Sequence, residues 1–61
     1  MLTDYLEMSR EAFREALRYD VMESEARNAG DDQLAAYLLS QAKYYRIQSR
    51  KNLRIHENEK V

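Results

Sequence analysis

Sixty-one residues allow one domain, and the absence of cysteine excludes disulfides and thiolate metal sites. With no proline, one glycine and one histidine, the chain also has no glycine-rich phosphate loop and no imidazole cluster. The formal net charge of −1 hides a split: residues 1–32 carry nine acids and four arginines, and residues 33–61 carry six bases and two acids.

Chains this small bury only about 60% of their unfolded surface and need a staple. Without disulfides or a metal, oligomerisation or docking on another protein is what remains. The opening Met1-Leu2-Thr3-Asp4 has no basic region and no apolar stretch, so no signal peptide is expected. No run approaches the ~20 apolar residues of a membrane span. The expectation is a cytoplasmic protein with no membrane association and no cofactor.

The first helix is expected from about residue 4 to 29. Asp4 and Glu7 have capping-box spacing, with Asp in the Ser/Thr place. Ala, Leu, Glu, Arg and Gln then continue unbroken to Asn28-Ala29-Gly30. Gly30 can adopt the left-handed conformation that ends a helix. The turn is placed at 30–31, and Asp31 or Asp32 supplies the next cap. The second helix is expected over about 32–56, with a frayed tail at 57–61. Two helices of about 25 residues, ~38 Å each, joined by so short a loop must lie antiparallel.

Residues whose numbers sum to about 61 then share a level. A seam spaced by threes and fours reads Tyr5, Ser9, Ala12, Ala16, Tyr19, Glu23, Ala26 on helix one. On helix two it reads Ala35, Leu38, Ala42, Tyr45, Ser49, Asn52, His56. Large faces small along this seam: Tyr19 at the level of Ala42, and Ala16 at that of Tyr45. Its far end, with Ser9 against Asn52 and Tyr5 against His56, is polar and expected to be looser.

The seam leaves Leu2, Leu6, Phe13 and Leu17 on one flank, which Leu39 and Leu53 of helix two share. Two helices cannot cover a continuous apolar flank by themselves. The expected fold class is therefore all-α: an antiparallel two-helix hairpin that dimerises through these residues into a four-helix bundle. Asp20, Glu23 and Arg27 interrupt the flank near the loop, where Glu23 and Arg27 can pair at i,i+4.

Lys43, Arg46, Arg50 and Arg54 recur at three and four on helix two, with Tyr44 and Tyr45 interleaved. Basic residues beside aromatics suit phosphate neutralisation and base stacking. Arg10 and Arg14 could join them on one side. The alternative is that these charges are matched within the assembly. Tyr37, Tyr44, Ile47 and Ile55 form a second strip off the seam, of the kind enriched at protein interfaces. Glu7, Glu11 and Glu15 each have an arginine three residues on, a solvated ion-pair face rather than a cation cage. His56 has no carboxylate three residues before it and is read as a polar residue at the end of the seam. No catalytic, cofactor-binding or metal-ligating set emerges, so no enzymatic role is expected.

In length, central turn and equal helices the chain resembles the Rop family of plasmid copy-number regulators. That likeness of architecture implies a dimeric four-helix bundle that binds RNA, and it transfers no residues. From the residues themselves, the first expectation is a homo-oligomeric adaptor, inhibitor or assembly factor acting on another protein. The second is a nucleic-acid-binding bundle that uses the basic stripe.

Overall fold

The computed structural model describes residues 3–59, which form two helices, α1 (Tyr5–Asn28) and α2 (Asp32–Glu59), packed as an antiparallel hairpin of 48 × 15 × 13 Å. The Asp4 carboxylate accepts from the Glu7 N–H at 3.1 Å and starts α1. At the other end Gly30 takes φ +80. Its N–H donates to the Arg27 carbonyl at 3.0 Å, and the Asp31 N–H donates to the Ala26 carbonyl at 2.9 Å. These two bonds use carbonyls that the helix end leaves free. The Asp31 carboxylate then accepts from the Leu34 N–H at 3.1 Å and starts α2. One helix is closed and the next is capped within three residues, which folds the chain back on itself. α2 continues to Glu59, three residues past the expected end at His56.

The interior is thin. Its buried apolar residues are Ala16, Ala26, Ala35, Leu38 and Ala42, and Ser9 is buried with them. All six belong to the seam, and its remaining members are half-buried. Tyr19 packs over the cluster of Ala26, Ala35 and Leu38 near the turn. Alanine and serine let the helix axes come close. The two serines exploit this: the Ser9 hydroxyl donates to the Ser49 carbonyl and the Ser49 hydroxyl to the Ser9 carbonyl, both at 2.9 Å.

The expected pairing of Ser9 with Asn52 is therefore replaced by Ser9 with Ser49, and the polar end is clasped by reciprocal hydrogen bonds. Each hydroxyl has one hydrogen and spends it on a carbonyl, so the 3.1 Å separation of the two Oγ atoms is proximity rather than a third bond. Near the middle, Tyr19 stacks on Tyr45 with ring centroids 5.6 Å apart and planes 10° apart. Side-chain direction explains both departures from simple levels. Long side chains lean toward their own N-terminus, so Tyr19 and Tyr45 meet beyond the level of their Cα atoms. Carbonyls point toward the C-terminus, so the serine pair closes on the other side of it.

Candidate interaction surface

The hairpin has two flanks, one on each side of the seam. On the first, Leu6 and Phe13 of α1 and Leu53 of α2 line a groove floored by Ser9 and Ser49 and edged by Arg10 and Arg14. The geometry thus brings together three of the expected interface residues. Leu17 lies one turn beyond Phe13 and is 47% exposed, while Phe13 itself is 52% exposed. Leu39 is half-buried and borders a separate trough with Ala36, Lys43 and Ile47. Leu2 falls outside the described residues.

Heptad spacing places Asp20 in line with Leu6 and Phe13, and Arg46 in line with Leu39 and Leu53. Asp20 and Arg46 form an ion pair across the hairpin, with both side chains about two-thirds shielded. Arg46 is therefore matched inside the molecule and leaves the basic stripe expected from sequence. Among the described residues, Lys43, Arg50 and Arg54 have no carboxylate within 4.0 Å. Arg10 and Arg14 both approach Glu7 at 4.0 Å. Arg14 therefore turns back one heptad instead of meeting Glu11. Glu15 meets Arg18 at 3.0 Å, and Glu23 pairs with Arg27.

On the second flank Met8, Ala12 and Tyr44 share a groove with Glu11, Glu15 and Gln48. Tyr44 also reaches the trough beside Leu39 and Ile47, so it borders both faces of α2. Its ring meets the Tyr45 edge at 83°. Tyr37 and Ile55, the ends of the expected strip, are 56% and 40% exposed. Met8, Met22 and Leu34 were not among the expected binding residues, yet all three are more than 40% exposed. A sequence signal existed: Met8 and Met22 are two heptads apart, and Leu34 and Ile55 three.

Neither groove gathers reactive groups. Among the described residues no three His, Asp or Glu side chains converge to hold a metal ion. Among the same residues no helix is long and apolar enough to cross a membrane. His56 is half-buried at the open end of the hairpin. Comparisons with family models, curated proteins and solved structures find no match. The architectural likeness to Rop-type bundles therefore rests on length and helix pattern alone.

Proposed function

We propose that this chain is a non-enzymatic, self-associating helical protein that acts through protein–protein contacts, as an adaptor, inhibitor or assembly factor. Its unit is a dimer of hairpins, a four-helix bundle closed over Leu6, Phe13, Leu17, Leu39 and Leu53. The second flank and the Tyr37, Tyr44, Ile47, Ile55 strip are left to receive a protein partner.

The observation that supports this is the inversion of size and burial. The interior is four alanines and one leucine, while Phe13 and Leu17 stand about half exposed. Burying a Leu or Phe side chain contributes roughly 1.5–3 kcal/mol, and alanine far less. The hairpin keeps its largest potential stabilisation outside itself. Sedimentation equilibrium at micromolar concentration tests the reading: twice the 7.3 kDa monomer mass is expected. A stable folded monomer there overturns it.

A second reading follows from Lys43, Arg50 and Arg54, which face solvent with no carboxylate within 4.0 Å among the described residues, with Arg10 and Arg14 across the groove. It makes the bundle a nucleic-acid-binding regulator. RNA or DNA binding that weakens steeply with salt supports it, and no mobility shift at low salt discards it.

A further inference from the structure

The apolar side chains of the first flank are unevenly spread along its length, and this constrains how a second copy can sit. The reciprocal Ser9–Ser49 hydrogen bonds mark the register between the helices. From the open end, the heptad positions on this flank pair as Leu6 with Leu53, then Phe13 with Arg46, then Asp20 with Leu39. Beside the turn come Arg27 and Asp32. One end of the flank is leucine and the other is charged.

We infer that two hairpins join with their turns at the same end, about a two-fold axis parallel to the helices, with each Asp20 lying between its own Arg46 and the partner's Arg46. This rests on the self-association proposed above and adds its orientation. Three arrangements compete. If the turns lie at opposite ends with the hairpins fully overlapped, Leu6 and Leu53 are pressed against Arg27 and Asp32, which desolvates charges without pairing them. Sliding the opposed hairpins until Phe13 meets its equivalent leaves each Asp20 about two turns from the partner's Arg46, which leans the other way, so no charge pairs between the copies.

With the turns together, four leucines form one layer at the open end. Two aspartates and two arginines then alternate around the axis in the next polar layer. The existing Asp20–Arg46 pair has each partner about a third exposed, so room remains for a second opposite charge. Polar groups at single heptad positions are known to fix register in this way. α1 also faces the partner's α2, so every neighbouring helix pair is antiparallel and their dipoles oppose. Arg10 and Arg50 approach each other only at the rim, where solvent and salt screen them. The opposite flank has Met8, Met22, Leu34 and Ile55 at its heptad positions with Glu15, Gln41 and Gln48 between them, and those positions hold no cation to alternate with an acid.

The chain has no native cysteine, so a single Asn28→Cys substitution at the exposed end of α1 accepts one nitroxide per copy. Pulsed electron–electron double resonance then reads the distance between copies. With helices spaced about 10 Å in a bundle, turns at the same end place the labels within about 30 Å. Turns at opposite ends place them near the 48 Å length of the hairpin. A dimer with the long distance overturns the orientation and leaves self-association standing, whereas a monomer in sedimentation removes both.

The charge ring is tested by mixing Asp20→Arg with Arg46→Asp. Each alone gives the ring a single sign, and together they place two cations on one copy against two acids on the other, so both contacts between the copies become attractive. Heterodimers are expected to form at least tenfold more tightly than either homodimer. Random mixing of the two variants overturns the ring.

Discussion

The seam and the first flank run along the same two helices and use opposite side chains. The seam buries Ala16 and Ala42 completely and is closed by two serines. The flank carries Leu6, Phe13 and Leu53 around an open groove. Small residues allow close approach and fix which surfaces meet, but contribute little apolar burial. Large ones contribute burial only when something covers them. In the proposed dimer, shape and stability therefore reside in different stripes, and the two stripes should respond oppositely to changes in size.

The largest effect is expected on the flank. Phe13→Ala removes an aromatic side chain that the isolated hairpin leaves 52% exposed and the proposed dimer covers. Truncating a buried phenylalanine costs about 3 kcal/mol or more, so dimer dissociation should strengthen over a hundredfold. Analytical ultracentrifugation across a concentration series reads this directly. An unchanged dissociation constant would separate Phe13 from self-association and break the contrast with the seam.

On the seam the harmful change runs the other way. Ala16 is 0% exposed, so Ala16→Leu must push the helices apart or twist off-rotamer. A loss of about 2 kcal/mol in urea unfolding is expected. The helices would also part at the serine clasp, because Ser9 stands two turns from Ala16. Val21→Leu, on the outer surface of the same helix, should be nearly silent by comparison. If the leucine at position 16 is tolerated as well as that, the close approach is not what holds the pair.

The turn is expected to be next in size. Gly30 has φ +80, and a β-carbon there meets nothing within 4 Å. Gly30→Ala therefore tests backbone strain alone, worth about 1 kcal/mol, with Gly30→Asn milder because asparagine tolerates the left-handed region. Thermal unfolding of the three proteins should rank them Gly, Asn, Ala. A drop with alanine that exceeds the strain would point to the turn itself joining an interface.

Much of this is legible in the sequence, and the exceptions have a physical pattern. Asp4, Gly30 and the alanine spacing identify caps, turn and seam because each reflects local backbone chemistry or helical period. The Ser9–Ser49 clasp, the Tyr19–Tyr45 stack and the Asp20–Arg46 pair are not legible by level, since each depends on which way an atom points from its helix. Arg46 shows the consequence for function. Its place in a run of cations suits either a phosphate contact or a match within the assembly, and its lean toward the turn delivers it to Asp20. Met8, Met22 and Leu34 do not continue the leucine stripe, although their own heptad spacing joins them on the other flank.

The smallest effect addresses the serine clasp, which decides whether the polar end of the seam is held or merely adjacent. Ser9→Ala removes one donor while the Ser49 hydroxyl keeps its bond to the Ser9 carbonyl, so it should cost about 1 kcal/mol or less. Ser49→Ala should cost the same, since the arrangement is reciprocal. The double variant distinguishes two mechanisms. If each hydroxyl bonds only a backbone carbonyl, the two losses add. If the hydroxyls polarise one another across their 3.1 Å approach, the double loss departs from the sum by about 0.5 kcal/mol. Additive losses assign the clasp to close backbone approach, which makes it a product of the alanines rather than a separate lock. A pair of silent single variants would mean that the open end is held by the flank instead, through Leu6 and Leu53.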